Sequence, residues 1–235
     1  MKPSPITADV LFRASSVVFD LDGTLADTAY DVAMAYCEAL PKFGFTPPPP
    51  ETLHIGPPAE TMVRGMIGQD ADPTLVAEIV TEFRRYYDTS DYPATKLYPG
   101  AEELLKQLKS EGIRLSIATY KGSVSTRRLL EVKGIVELFD EILSINLNGE
   151  RWNKHRMLSY IMETTQTQPE ETFFFGDSVG DIEAGRDLDV ATVAALYGYE
   201  PPENLLAAKP DYVCETLTPL LQPIAYSLQP NAKHF

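Results

Sequence analysis

The sequence predicts an α/β protein: a doubly wound parallel sheet whose chain is interrupted by an all-helical insertion. A short apolar strand at residues 17–19 ends in acidic residues, as a buried parallel strand at a ligand site does. Residues 27–92 have helical spacing and no convincing strand, whereas helices alternate with short apolar runs beyond residue 99, which is typical of βαβ units. The predicted parts are a core of residues 1–26 and 96–235 and a helical cap of residues 27–95.

The composition is that of an ordinary globular protein. The 235 residues are 44% hydrophobic and 23% charged, and a chain of this length can bury a substantial core. The formal net charge of −14 disfavours nucleic acid and anionic membranes as partners, because both bind basic surfaces. An anionic substrate must therefore rely on local positive charge and on a metal ion.

The cysteines and the N-terminal segment indicate an intracellular setting. Cys37 and Cys214 are far apart and have neither metal-ligand spacing nor a disulfide framework, so we predict free thiols. The first 16 residues contain two prolines and no continuous apolar run, unlike a secretory signal, and no later stretch approaches about 18 consecutive apolar residues. We expect a cytoplasmic protein.

The first strand leads into Asp20-Leu21-Asp22-Gly23. Two acids spaced by two share one face of an extended segment, and Gly23 lets the backbone turn away. Because neighbouring buried carboxylates repel one another, the segment predicts a hard cation, and magnesium is the expected one. By itself the segment also fits an ordinary Asp-Gly turn.

Three helices are predicted in the insertion. The first begins near Asp27 or Thr28, either of which can cap it. The second carries the apolar residues 62–67 and follows a rigid four-proline segment at residues 47–50. The third begins at Asp72, a good N-cap, and continues with apolar residues at the helical period. We expect this helical unit to act as a lid.

Strands and helices alternate in the second half of the chain. The predicted strands are 113–118, 141–145, 172–175, 191–194 and an edge strand 211–214, and the predicted helices are 101–110, 124–133, 154–164, 182–187 and 217–221. Thr119 follows the first of these strands, and Asp177 follows strand 172–175. Asp181 comes four residues later, so both acids can approach one cation from one loop. Alone, Asp181 would be read as a helix N-cap.

Four segments resemble, in order, the motifs of the haloacid dehalogenase-like superfamily. Residues 20–24, DLDGT, are similar to its DxDGT motif, and residues 176–181, GDSVGD, are similar to its GDSxxD motif. Thr119 matches the Ser or Thr of the second motif, with Lys121 close behind as a possible auxiliary. Lys154 matches the lysine at the head of a helix in the third motif. His155 stands where the family often has proline, which leaves Arg151 open as the alternative lysine equivalent.

The resemblance implies a Rossmann-like core with a small helical cap, and phosphoryl transfer through an aspartyl phosphate. It makes Asp20 the nucleophile and Asp22 the general acid and base, whereas the family's carbon–halogen hydrolases lack this second acid. The implied magnesium ligands are Asp20, Asp22 through its backbone carbonyl, and Asp177, with Asp181 either a ligand or an acid beside the ligands. Thr119 and Lys154 are the implied phosphate-binding residues.

We therefore predict a magnesium-dependent phosphatase acting on a small phosphorylated metabolite, either phosphoglycolate-like or a nucleoside monophosphate. One alternative is a phosphomutase resembling β-phosphoglucomutase, and another is a non-catalytic phosphate-sensing or scaffolding protein on the same fold. By analogy with phosphoglycolate phosphatase-like relatives, His54, Arg64 and the loop 55–58 of the cap are expected to select the substrate, with Lys121 beside them. The sequence leaves monomer and dimer open.

Overall fold

The protein is built around a seven-stranded parallel sheet. The computed structural model describes residues 3–53, 55–147 and 150–222. The strands of this sheet are β1 (Ser4–Pro5), β2 (Ser16–Phe19), β5 (Arg114–Thr119), β6 (Glu141–Ser144), β9 (Thr172–Gly176), β10 (Ala191–Ala195) and β11 (Tyr212–Cys214). The other four strands form two antiparallel ribbons. One ribbon pairs β3 (Ala26–Asp27) with β4 (Lys96–Leu97), and the other pairs β7 (Asn146–Leu147) with β8 (Glu150–Arg151). The sheet order is β1-β11-β10-β9-β2-β5-β6, which confirms the predicted doubly wound arrangement. From β2 the chain forms β5 and β6 on one side of the sheet, and it then returns to form β9, β10 and β11 on the other side. The crevice at the carboxyl end of β2, where the strand order reverses, is therefore the expected ligand site.

Helices cover both faces of this sheet. The helices are α1 (Ala8–Leu11), α2 (Ala29–Ala39), α3 (Ala59–Ile67), α4 (Pro73–Tyr87), α5 (Ala101–Ser110), α6 (Ser123–Val132), α7 (Lys154–Thr165), α8 (Val179–Arg186) and α9 (Pro202–Ala207). Successive residues of β2 face opposite sides: Val17 and Phe19 pack in the cluster that includes α5 and α6, whereas Val18 packs with α7 and α8. A strand buried on both faces has to be continuously apolar, which explains the sequence of β2.

Three parts of the core differ from the sequence prediction. Strand β11 is not at the edge, because the N-terminal β1 pairs outside it, with Ser4 opposite Tyr212. The predicted helix 217–221 is a 3-10 turn, Thr218–Leu220. The short helices α1 and α9 were not predicted. These short segments carry too few residues to show a hydrophobic period.

In the sequence, helices α2, α3 and α4 come between β3 and β4, which pair as an antiparallel ribbon. Strands β3 and β4 pair Asp27 with Lys96, so the chain leaves the core and returns to it at one place. Asp72 caps α4 as predicted, with its side chain accepting from the amides of Thr74 and Leu75. Within the described residues, no helix combines the length and the apolar character needed to cross a membrane. Both cysteines are free thiols, as predicted.

Candidate active site

Polar side chains converge where the three central strands end. Asp20 follows β2, Thr119 is the last residue of β5, and Asp177 follows β9. These strands are neighbours in the sheet and run parallel, so their carboxyl ends meet at one edge. Thr119 is buried, and its hydroxyl accepts a hydrogen bond from the Lys121 amide at 3.2 Å.

Three carboxylates form a cluster suited to a cation. Oxygens of Asp20, Asp177 and Asp181 all lie within 4.8 Å of one another. Burial raises the pKa of Asp20 to about 6, and burial together with the charge of Asp20 raises the pKa of Asp177 to about 8. Their ionised forms are therefore costly without a counter-ion, and hard carboxylate oxygens are the ligands that magnesium prefers. The donor set fits a divalent cation.

Asp177 is held in one orientation. The Thr24 hydroxyl donates to Oδ1 at 3.0 Å, and the Tyr199 amide donates to Oδ2 at 2.8 Å. The backbone approaches the same side chain so closely that a Cβ at Gly23 or Gly198 would overlap it. Gly23 also has φ of +79°, a conformation that other residues adopt only at a cost.

Lys154 lies within the acidic cluster. Its Nζ is 3.0 Å from Asp20 Oδ2 and 2.8 Å from Asp181 Oδ1, and its side chain is almost fully buried. Although burial opposes the charge, the two carboxylates raise the pKa of Lys154, so the ammonium persists. Arg151, the alternative left open by the sequence, instead pairs with Glu60 at 3.6 Å near the surface. Of the two candidates, Lys154 is therefore the one that lies beside Asp20.

Asp181 supports both Lys154 and the start of α8. Its Oδ2 accepts from the amide and the hydroxyl of Ser178, and Ser178 in turn accepts from the Asp181 amide. This reciprocal capping box makes Ser178, not Asp181, the N-cap. The remaining oxygen of Asp181 is the one that faces Lys154. The start of α8 therefore fixes the position of Asp181, and in that position its other carboxylate oxygen lies beside Lys154.

Asp22 has a separate environment, although it is only two residues from Asp20. Lys121 Nζ lies 2.9 and 3.1 Å from its two carboxylate oxygens, and the Thr28 hydroxyl donates to Oδ1 at 2.7 Å. The Asp22 carboxylate is not part of the acidic cluster. Thr28 precedes α2 but makes no side-chain cap, because its hydroxyl is used by Asp22. The two acids therefore lie in different environments.

The cap reaches the core through Lys121. The Lys121 ammonium also donates to the hydroxyl of Tyr87, the last residue of α4, at 2.6 Å. Both residues line a cavity of about 60 Å³ between cap and core, and Asp22 lines it as well. Ile55, Gly56 and Pro57 of the predicted specificity loop line the same cavity.

The other cap predictions have different outcomes. Arg64 is not among the described residues that line this cavity; its guanidinium donates to the carbonyl oxygens of Gln69 and Ala71 and thereby closes the C-terminal end of α3. One guanidinium nitrogen of Arg64 is thus used within its own loop, and the role of Arg64 in specificity stays a prediction. His54 lies outside the described residues.

Comparisons with known proteins agree with this geometry. The family model for haloacid dehalogenase-like hydrolase matches residues 17–195. This chain belongs to the haloacid dehalogenase-like hydrolase family. A phosphoglycolate phosphatase of Vibrio parahaemolyticus is 30% identical over 219 residues, which cover 90% of this chain and 96% of the relative. Tyrosine-protein kinase PtkA of Mycobacterium tuberculosis is 31% identical over 186 residues, 78% of this chain and 62% of the relative.

A solved structure matches most of the fold. The crystal structure of a predicted phosphoglycolate phosphatase from Haemophilus somnus superposes with a TM-score of 0.78 at 26% identity, covering 87% of this chain and 95% of that one. The resemblance inferred from the motifs is thus confirmed.

The sequence analysis missed three residues of the candidate active site. Tyr87 binds Lys121, Tyr199 binds Asp177 through its amide and Thr28 through its hydroxyl, and Gly198 makes room for Asp177. The last two follow the carboxyl end of β10, a strand that the sequence did predict. Their position just after a parallel strand was the sequence signal that could have identified them as site residues. Tyr87 carried no such signal, because an aromatic residue at helical spacing is ordinarily part of a core.

Gly198→Ala is expected to disrupt the candidate active site. The new methyl group would overlap the Asp177 side chain and the Gly23 carbonyl oxygen, so we expect a loss of about 1–3 kcal/mol in the free energy of unfolding and a loss of cation binding. Urea unfolding and magnesium titration calorimetry measure both. Gly180→Ala is the matched control: it is an exposed helical position where the nearest atom would be 3.8 Å away. Unchanged cation binding by Gly198→Ala would contradict the close packing described here.

Proposed function

We propose that this protein is a magnesium-dependent phosphatase that hydrolyses a small phosphorylated metabolite, phosphoglycolate-like or a nucleoside monophosphate, through an aspartyl phosphate on Asp20. The observation that carries the proposal is the division between the two acids. Asp20 lies in the cation cluster beside Lys154, whereas Asp22 is held outside it, at the cavity, by Lys121. A nucleophile needs charge compensation, and a proton donor needs access to the leaving group.

The proposed reaction has two halves. In the first, an oxygen of Asp20 bonds to phosphorus, the bond from phosphorus to the leaving oxygen breaks, and Asp22 gives its proton to that oxygen. In the second, Asp22 takes a proton from water, whose oxygen attacks phosphorus and releases the Asp20 carboxylate with inorganic phosphate. Lys154 and Thr119 bind the phosphoryl oxygens, one by charge and the other by its hydroxyl.

Asp20, Asp177 and the Asp22 carbonyl would hold the magnesium ion, with Asp181 beside them. A bound magnesium ion supplies positive charge against the phosphoryl oxygens. The Thr24 and Tyr199 contacts keep Asp177 turned toward Asp20 without using the whole of its carboxylate, since each of its oxygens accepts only one of these bonds.

The relatives support a phosphatase. The Vibrio parahaemolyticus protein is named as a phosphoglycolate phosphatase and is similar over nearly its whole length. The kinase relative is similar over a smaller share of its own length. The cavity of about 60 Å³ beside Asp22 lies where the leaving group of a small substrate would bind.

Release of inorganic phosphate tests the proposal. We expect magnesium-dependent hydrolysis of one or a few members of a panel of phosphoglycolate, nucleoside 5′-monophosphates, sugar phosphates and pyrophosphate, with activity lost on adding a chelator and restored by excess magnesium. Detection of an isomeric sugar phosphate without free phosphate would favour the phosphomutase. No turnover of any member by folded, magnesium-bound protein would refute the phosphatase proposal.

A further inference from the structure

The last helix of the cap, α4, is joined to Asp22 through one lysine. Lys121 donates to the two carboxylate oxygens of Asp22, at 2.9 and 3.1 Å, and to the hydroxyl of Tyr87 at 2.6 Å. An ammonium group has three protons, and these three acceptors use all of them. The Lys121 side chain is only 4% exposed, so water does not compete for these bonds. The place of the ammonium beside Asp22 therefore depends on Tyr87 as well.

The ring of Tyr87 is itself held in place. It is 2% exposed, it stacks on Phe83 at 5.3 Å between ring centroids, and it makes an edge contact with Tyr92 at 5.2 Å. Tyr92 is fully buried and is bound to the core: its hydroxyl donates to the carbonyl oxygen of Ser125 in α6 at 3.4 Å, and its own carbonyl oxygen accepts from Lys133, just after α6, at 3.0 Å. The Tyr87 hydroxyl is thus fixed relative to the core helix α6.

The chain that follows α4 is also bound to α6. Arg128 of α6 donates to the carbonyl oxygens of Ser90 and Thr89, at 2.7 and 3.4 Å, and pairs with Asp91 at 2.7 Å. Bonds from one guanidinium to two successive carbonyl oxygens fix the course of the main chain. Helix α6 begins two residues after Lys121, so the anchor of α4 and the lysine belong to one segment of the core.

We infer that Tyr87 and Arg128 are positioning residues: acting through Lys121, they hold the Asp22 carboxylate at the cavity, where it transfers protons. This inference rests on the proposed phosphatase reaction and goes beyond it, because it gives the anchored end of α4 a role in proton transfer. Asp22 Oδ1 accepts from both Lys121 and Thr28, whereas Oδ2 accepts only from Lys121 among the described residues, and so keeps room for the leaving oxygen. Without the Tyr87 hydroxyl, one proton of the buried ammonium loses its acceptor, and Lys121 turns away from Asp22 to satisfy it.

Two substrates that differ in their leaving group test the positioning role. The alcohol of a phosphate ester needs a proton as it leaves, whereas the acetate of acetyl phosphate leaves without one. We expect Tyr87→Phe to lower the single-turnover rate of cleavage of the best phosphate ester of the panel about 10-fold, with KM changed less than about 2-fold. Cleavage of acetyl phosphate should change less than about 3-fold. Arg128→Gln should lower cleavage of the ester about 3-fold and leave that of acetyl phosphate unchanged.

Each variant has a matched control. Tyr86→Phe is the same change at the preceding residue of α4, which is not among the described residues that line the cavity. Arg127→Gln changes the exposed neighbour of Arg128, whose described ion pair is with Glu131 of the same helix. Both controls should cleave the two substrates at the native rate. Equal losses on the ester and on acetyl phosphate in Tyr87→Phe, a loss confined to KM, or an unchanged rate on the ester would overturn the inference.

Thermal unfolding separates failure of this inference from failure of the phosphatase proposal. The change in Tm is measured for Tyr87→Phe, for Asp22→Asn and for the double variant. Because Lys121 joins the two side chains, we expect the change in the double variant to differ from the sum of the single changes. Such a difference in a protein that hydrolyses nothing on the panel upholds the contact and refutes only the reaction. Additive changes refute the inference even if the panel is hydrolysed, and Arg128→Gln takes the place of Tyr87→Phe if that variant does not fold.

Discussion

Asp20→Asn is expected to lower kcat for phosphate release by at least about 10⁴-fold. The amide cannot form the aspartyl phosphate, and no neighbouring acid replaces it: Asp177 and Asp181 are held by Tyr199 and Ser178, and Asp22 lies outside the cluster. The measurement is single-turnover phosphate release with the best substrate of the panel. A binding protein without catalysis would show no turnover in either form.

The same substitution is expected to leave the fold intact. Burial raises the pKa of Asp20 to about 6, so above that pH its ionised form lowers the stability of the metal-free protein. Removing the charge is therefore expected to maintain or raise Tm near pH 8 without magnesium. Asp187→Asn, at an exposed position after α8, is the matched control and should change neither activity nor Tm. Turnover that survives in Asp20→Asn would refute the nucleophile assignment.

Lys154→Met is expected to have the largest effect on stability. It removes a buried ammonium that lies 3.0 Å from Asp20 and 2.8 Å from Asp181 and leaves two carboxylates without their cation. Breaking such a buried pair costs about 3–5 kcal/mol in the free energy of unfolding. Urea unfolding without divalent cations measures it, and added magnesium should recover part of the loss, because the cation replaces the missing positive charge.

Two comparisons make this result specific. Lys106→Met removes an exposed lysine paired with Glu102 and should cost less than about 1 kcal/mol. Adding Asp181→Asn to Lys154→Met should restore stability, since one of the two uncompensated charges is then absent. If the double variant is less stable than Lys154→Met alone, the capping box of Asp181 with Ser178 outweighs its ion pair.

The local sequence determined most of the sheet and the residues at its edge. Apolar runs buried on both faces and helices with a clear period were predicted to within a few residues, as in β2 and α4. The acids Asp20 and Asp177 could be placed together before any coordinates, because each directly follows a strand and parallel strands end at one edge. Strands, helices and the residues that follow them depend on neighbours in the chain, so a short stretch of sequence is enough to predict them.

Only the tertiary structure decided which side chains reach one another. Lys121 binds Asp22 across 99 positions of sequence, and Tyr199 reaches Thr28 across 171. Arg64 turns back to its own loop, while Arg84 faces the cavity instead. Such contacts depend on how separate elements pack and on the length and rotamer of each side chain, neither of which appears in the local pattern. The position of the acids at the sheet edge could therefore be predicted from sequence, whereas the contacts that hold them required the fold.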